Sequence, residues 1–366
     1  MYISGLTLTN FRNYEYREFE FDCNTTVITG DNGVGKTNIV EAIVFLSSLR
    51  SHRTNQDTDM VMFDSPYAVL MGEFVSSNGT EKLNILINED NSKKIKFNNQ
   101  DVKRVADVVG KLNTVIFSPD TLEIIKEGPD KRRKFLDVAI SKIDRRYFSA
   151  LQMYKKVIRQ KNKHLKHFEG DDKFLVLDTY DQLLAQNGGY IEYKRRFFID
   201  KLNELLCDIH SRLTGTKSDV YVEFESQVET SDRSLDEIIN DYAEMLADAR
   251  FKEIEKRSSV KGAHTDDIAF YVNRKNAKKY CSQGQQRILL LSVLFAQTQI
   301  ALSETGESPV VLLDDVLSEL DNKRKQLVLD YINDYQTFIT TASNDVPLLN
   351  MINDYTLIDL SNEDII

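Results

Sequence analysis

Apolar and polar residues alternate along the first hundred positions, and the alternation breaks at turn-forming residues. A strand turns successive side chains to opposite faces, so this pattern predicts strands at Tyr2 to Phe11, Glu15 to Phe21, Thr25 to Thr29, Ala68 to Phe74 and Lys82 to Ile87. Asn78-Gly79 separates the last two and is a hairpin signal, since both residue types accept the positive φ of a tight turn. One block here, Lys36 to Leu49, has a helical rhythm, with Ile39, Val40, Ile43, Val44 and Leu46 forming a broad apolar face. From about Asp120 to Phe251 long helical stretches take over: Lys131 to Phe168, Tyr180 to Leu213 and Leu235 to Lys256, with a strand-like Tyr221 to Val228 between them. After Gly262 the alternation returns as Ile268 to Val272, a helix from Gln285 to Ser303, an apolar strand Val310 to Leu313, a helix Lys323 to Tyr335 and a strand Thr337 to Thr341.

This order predicts an α/β head interrupted by a mainly helical arm: 1–119 as the head's first half, 120–260 as the arm and 261–366 as the head resumed. A chain of 366 residues, 41% hydrophobic and 28% charged, has the composition of a globular protein with room for two cores. The longest apolar run, Ile288 to Ala296, is interrupted by Ser292 and falls short of the roughly 20 residues that cross a bilayer. The opening MYISGLTLTNF lacks the basic-then-apolar pattern of a secretory signal. A cytoplasmic protein with no membrane partner is the expectation, and Cys23, Cys207 and Cys281 read as ordinary isolated thiols. The formal net charge of −10 speaks against a nucleic-acid partner until its distribution is considered. Lys131 to Lys166 carries thirteen Lys or Arg against Asp137 and Asp144, a net +11 on 36 residues.

Two motifs carry chemistry. Gly30-Asp31-Asn32-Gly33-Val34-Gly35-Lys36-Thr37 fits G-x-x-x-x-G-K-[ST] and lies between an apolar strand and a helix, the setting of a phosphate-binding P-loop. Its backbone N–H groups and the helix start would cradle the phosphates of ATP, Lys36 would reach the β- and γ-phosphates, and Thr37 would hold Mg²⁺. Near the other end, the buried-type strand Val310 to Leu313 runs into Asp314-Asp315. At the C-terminal edge of a parallel sheet Asp314 would be the metal-side carboxylate and Asp315 the group that orients or deprotonates the attacking water, which makes Lys36, Asp314 and Asp315 the catalytic candidates.

A third motif, Ser282-Gln283-Gly284-Gln285-Gln286-Arg287, opens an apolar helix 32 residues before Asp314. It resembles the signature of ABC-type ATPases, and its wording is similar to the RecF family. LTNFRNY (8–14), GDNGVGKTN (30–38), LRSHRT (49–54), VIFSPDTLEIIKEGPDKRRKFLD (115–137), GAHTDDI (262–268), SQGQQR (282–287) and LLDDVLSELD (312–321) follow in that family's order. The resemblance implies an ABC/SMC-type head, an ATP-dependent homodimer in which Ser282, Gly284 and Gln285 of one subunit cap the nucleotide of the other, and slow ATP hydrolysis, since Asp315 stands where many ABC ATPases carry Glu. It also implies that Arg12 and Asn13 contact nucleotide or tune the site, a place near the dimer seam for Ser318 and Asp321, and a function in DNA replication, recombinational repair and the SOS response as a mediator that loads recombinase at gaps with RecO- and RecR-like partners. No His follows the strand Thr337 to Thr341, leaving Thr341 or Asn344 as switch candidates, and the family's GPHRDD reads GAHTDD here. The basic segment, with Lys131, Arg132, Arg133, Arg145, Arg146, Lys155, Lys156 and Arg159, would grip DNA through its phosphates without sequence preference, and Arg50 and Arg53 are further candidates. The competing reading is a nucleotide-gated interaction protein that recruits partners and has little DNA affinity of its own.

Overall fold

The computed structural model describes residues 1–22, 24–167, 173–228, 233–342 and 346–361. The chain forms two compact units, 1–122 with 208–217 and 287–366, and 123–207 with 218–286.

The first unit holds two sheets. β1 (Tyr2–Phe11), β2 (Tyr14–Glu20), β4 (Tyr67–Ser76), β5 (Gly79–Asn88), β6 (Lys93–Phe97) and β7 (Gln100–Asp101) form an antiparallel sheet in the order β2-β1-β4-β5-β6-β7. β3 (Thr25–Gly30), β8 (Thr114–Phe117), β12 (Val310–Asp314), β13 (Thr337–Ala342) and β14 (Thr356–Asp359) form a parallel sheet in the order β14-β3-β13-β12-β8. β4 and β5 alternate buried and outward residues, as a sheet with one covered face must. β12 reads VVLLD with every residue buried, as a parallel strand covered on both faces does.

Helix α1 (Lys36–Ser48) buries Ile39, Val40, Ala42, Ile43, Val44, Phe45 and Leu46. One apolar cluster joins these side chains to Leu6, Leu8, Phe74 and Ile85 of the antiparallel sheet and to Ile28, Leu312 and Phe338 of the parallel one. Burial of each such side chain stabilises by about 1.5–3 kcal/mol, so α1 is fixed from both sides. Its first turn, where the P-loop ends, is thereby held at the C-terminal edge of β3. α8 (Gln283–Thr305) enters this unit from Arg287 onward, and α9 (Asn322–Ile332), with Asp321 as its N-cap, and α10 (Val346–Leu349) complete its helices. By length and hydropathy α8 could span a membrane, but its most apolar window is 72% buried, as befits a core helix.

The second unit contains α2 (Glu123–Lys126), α3 (Pro129–Ile143), α4 (Arg145–Lys166), most of α5 (Lys173–Thr214), α6 (Leu235–Lys256) and α7 (Ala277–Tyr280), with a small sheet of β9 (Val220–Glu225), β10 (Asp267–Val272) and β11 (Lys275–Asn276) in the order β11-β10-β9. The single helix expected from Lys131 to Phe168 is two, because Asp144 adopts an extended conformation and caps α4 through the Tyr147 N–H; Phe168 itself lies outside the described residues. The chain does not return to the head at 261. Antiparallel pairing of β10 with β9 holds 261–286 in the helical unit, so Ser282, Gly284 and Gln285 group with it. Gly188 lets α5 close on α6, since a Cβ there would lie 2.4 Å from the Tyr242 ring.

Candidate functional site

The P-loop is locked from behind by the turn between β1 and β2. Asn13 Nδ2 donates to the Val34 carbonyl at 3.2 Å, Tyr14 Oη donates to the Gly35 carbonyl at 3.2 Å, and Asn38 Nδ2 donates to Asn13 Oδ1 at 2.7 Å. Gly35 has φ +107°, and a Cβ on it would sit 2.7 Å from both Asn13 Nδ2 and Tyr14 Oη, so glycine is required there for conformation and for space. No side chain caps α1 and no acidic residue occupies its first turn, which leaves the helix start suited to an anion. Asp31, Asn32 and Gly33 are exposed along the rim. Lys36 Nζ folds back onto the carbonyls of Gly30 (2.7 Å) and Asp31 (2.8 Å). Burial lowers its pKa from the ordinary value, partly offset by the charges of Asp315, Asp31 and Asp314.

The parallel sheet sets the distance between cradle and aspartates. β13 lies between β3 and β12, so the two C-terminal edges are two strands apart, yet Thr37 Oγ1 donates to Asp314 Oδ1 at 3.1 Å. Asp314 is buried and its carboxyl is raised, first by that burial and also by the Asp315 charge, while hydrogen bonds from Thr340 and Thr37 pull it down. A divalent cation would relieve this cost. One hydroxyl and one carboxylate oxygen in contact suit Mg²⁺, a hard ion that takes few protein ligands and completes its shell with phosphate oxygens and water. Among the described residues no group of three or more His, Cys, Asp or Glu could cage a metal without such a contribution. Asp315 is exposed with φ 52° at the end of β12.

Arg12 is engaged within the protein, beside the P-loop helix. Its Nε and Nη2 donate to both carboxylate oxygens of Glu41 at 2.9 and 2.8 Å, and its Nη1 donates to the Asp59 carbonyl at 2.6 Å. Glu41 is fully buried one turn beyond Thr37 and also accepts from Ser51 and, at 3.3 Å, from Arg53. Burial pushes its carboxyl up, but the hydrogen bonds from Arg12 and Ser51 and the charges of Arg12 and Arg53 outweigh that and leave it lowered. Glu41 and Thr340 join the site without having been singled out from the sequence, and Tyr14 joins it as the last residue of the LTNFRNY motif. A lone carboxylate inside the apolar run Ile39 to Leu46 was the available signal for the first.

Ser282 and Gln285 satisfy each other as a capping box: Gln285 N–H to Ser282 Oγ at 3.3 Å, Ser282 N–H to Gln285 Oε1 at 2.9 Å. Both are exposed, and a Cβ on Gly284 would meet open space, so the helix tip faces solvent. Arg287, the last residue of the motif, forms an ion pair with Glu319. Ser318 donates to the Asp315 carbonyl, and Asp321 caps α9. Thr341 is buried, and Asn344 lies outside the described residues.

The basic segment divides in two. Arg132 is buried and makes a bidentate pair with Asp267 at 2.6 Å, Arg133 donates to the Asp266 carbonyl and pairs with Asp130, and Lys131 pairs with Glu123. These three are occupied in the unit's own fold. Arg145, Arg146, Lys155, Lys156, Arg159, Lys163 and Lys166 are exposed on α4, a helix that contains no acidic residue. Lys155 reaches Asp137, and Arg146 stacks over Tyr190 at 4.1 Å. The GAHTDD residues face inward: Asp266 accepts from the buried Arg195, which also binds Asp137 and the Ala263 carbonyl, and His264 Nδ1 pairs with Tyr154 Oη.

Fold and site together define a class, the ABC/SMC-type P-loop head carrying an inserted helical unit. Residues 2–359 match the RecF/RecN/SMC N terminal domain family. The chain is 37% identical over 349 residues to the DNA replication and repair protein RecF of Geobacillus kaustophilus, covering 94% of each, and 35% identical over 367 residues to that of Clostridioides difficile, covering 100% of this chain and 98% of the relative. A solved structure of the recombination mediator protein RecF with ATP, in the RecFOR pathway, superposes with a TM-score of 0.87 at 33% identity, covering 94% of this chain and 93% of that one. The chain belongs to the RecF family.

Proposed function

We propose that this protein is an ATP-dependent, DNA-binding recombination mediator with slow ATPase activity, acting in DNA replication, recombinational repair and the SOS response. Each head binds ATP and Mg²⁺ in the Gly30–Thr37 cradle, and the Ser282–Gln285 tip of a second copy caps the γ-phosphate, closing a homodimer on DNA. Hydrolysis, with Asp314 holding the metal and Asp315 the water, opens the dimer. RecO- and RecR-like partners then receive the site and recombinase is loaded at the gap. The observation that carries the reading is the contact between Thr37 and Asp314, two distant parts of the sequence that converge beside the P-loop. Support comes also from the exposed signature tip and from relatives named for DNA replication and repair.

DNA contact falls to the exposed cations of α4, from Arg145 to Lys166, which at 1.5 Å per residue form a row about 30 Å long. Such a row neutralises phosphates without reading bases. Mass in solution with and without ATP and Mg²⁺, measured for the wild type, Lys36→Arg and Ser282→Arg, tests the dimer: a full ATP-induced dimer in Ser282→Arg would overturn the composite site. DNA retention against salt, for the wild type and a Lys156→Ala/Arg159→Ala variant, tests the α4 row. Loss of about two units from the salt slope is expected at about 0.9 per phosphate contact. Dimerisation with ATP but no salt-sensitive DNA retention would favour the nucleotide-gated interaction protein instead.

A further inference from the structure

β13 is the strand between the cradle and the paired aspartates, and it contributes one polar side chain to both carboxylate-bearing residues. Thr340 is the register partner of Asp314 across the β12–β13 ladder. Its Oγ1 donates to Asp314 Oδ1 at 2.7 Å and accepts the Asp315 N–H at 2.9 Å. Only 1% of the residue is exposed. A hydroxyl has one proton, so that proton is committed to Asp314 while a lone pair takes the Asp315 amide.

Both contacts have a geometric consequence. Thr37 and Thr340 converge on the same carboxylate oxygen, Oδ1, and no hydrogen bond from the described residues reaches Oδ2. The rotamer of Asp314 is therefore fixed through Oδ1, with Oδ2 left unbonded by the described residues. Asp315 sits at φ 52°, a left-handed conformation that a non-glycine residue occupies at some cost. The hydrogen bond from its N–H to Thr340 Oγ1 holds that turn, and the turn sets where the exposed Asp315 side chain departs from the strand.

We infer that Thr340 is a positioning residue for the ATPase reaction, fixing through one hydroxyl both the metal-side carboxylate of Asp314 and the turn that presents Asp315 to water. The inference rests on the ATPase reading above. Thr340 acts through the two aspartates it binds. No histidine follows this strand, and Thr340 lies within it, one residue before the Thr341 expected as a switch.

The test compares the full-length wild type with Thr340→Val, Thr340→Ala and Thr340→Ser. Valine keeps the shape and removes the hydroxyl, alanine does so without any risk of a clash, and serine restores the hydroxyl. Binding of a fluorescent ATP analogue is titrated in EDTA and then against Mg²⁺, and single-turnover hydrolysis is measured at saturating Mg²⁺. Expected are unchanged affinity in EDTA for all variants, a Mg²⁺ midpoint raised about tenfold or more and hydrolysis slowed about tenfold or more in the valine and alanine variants, and near-wild-type behaviour in the serine variant, as losing a hydrogen bond to a charged group implies. A wild-type Mg²⁺ midpoint and rate in Thr340→Val or Thr340→Ala would overturn the inference, as would a serine variant that fails equally, because packing and not the hydroxyl would then be responsible. Mg²⁺-independent nucleotide binding in the wild type itself would overturn the ATPase reading and this inference with it, an outcome told apart by needing no variant.

Discussion

Replacing Glu41 should loosen the P-loop without unfolding the protein, because Glu41 fastens the turn that grips the loop. Its buried carboxylate takes two hydrogen bonds from Arg12, one from Ser51 and one from Arg53. Breaking a buried pair by deleting one partner costs about 3–5 kcal/mol. The Arg12 side chain is 22% exposed and that of Arg53 39%, so water can rehydrate part of what is left. Glu41→Gln, which keeps some hydrogen bonds and loses the charge, should cost about 2 kcal/mol, near the worth of one charge-assisted bond. That leaves a folded protein, since domains have about 5–15 kcal/mol to lose.

The functional effect passes through Arg12 to its neighbours Asn13 and Tyr14, which bind the Val34 and Gly35 carbonyls. If 1–2 kcal/mol of that clamp is lost, ATP affinity should fall about 5- to 30-fold. A double-mutant cycle over Arg12→Ala and Glu41→Gln, read by urea unfolding and by nucleotide titration, isolates the pair. The reasoning predicts a coupling of about 2 kcal/mol in stability, since both singles remove the same interaction. A coupling below about 0.5 kcal/mol, within the scatter of independent sites, would refute it. The pH sign follows from the lowered carboxyl. A depressed acid contributes stability that is present above its ordinary value of 4.5 and lost as pH falls through its folded value, so the gap between wild type and Glu41→Gln should close in acid.

Gly35→Ala should abolish nucleotide binding while leaving circular dichroism unchanged, because the added Cβ strikes Asn13 and Tyr14 and strains a φ of +107°. Lys142 is buried and its pKa is lowered by that burial to about 7; between there and 10.5 the unfolded chain holds the extra proton, so stability should rise with pH across that window. Lys142→Met should remove that slope, as thermal unfolding from pH 7 to 10 would record. Arg195→Lys should destabilise the protein by about 3 kcal/mol, since an ammonium cannot span Asp137, Asp266 and the Ala263 carbonyl as the guanidinium does; equilibrium urea unfolding reads it.

Much of the head was legible because its signals are local. Alternation located β1, β4 and β5, and a fully apolar run followed by two aspartates located β12. The short strands β6, β7, β8, β11 and β14 escaped, since two to five residues carry no readable period and are made strands by their neighbours. The break between α3 and α4 escaped for a related reason: both helices keep one apolar rhythm across it, and only the capping chemistry of Asp144 marks the joint.

Site chemistry was legible where a motif concentrates it and illegible where it is a property of position. Lys36, Thr37 and Asp314 announce themselves by residue type and spacing. Thr340 does not, because an apolar strand containing Thr reads as ordinary β-sequence until the ladder brings it opposite Asp314. Charge misleads in the same way. Counting assigns Arg132 and Arg159 equally to a basic surface, yet the first is buried against Asp267 and the second is exposed on α4. A cation buried in an ion pair cannot reach a phosphate, whereas an exposed one can, and a sequence count cannot separate the two cases. The +11 of residues 131–166 is thus two populations, one buried in ion pairs that hold the helical unit together and one exposed on its surface. Only the second should appear in a salt titration.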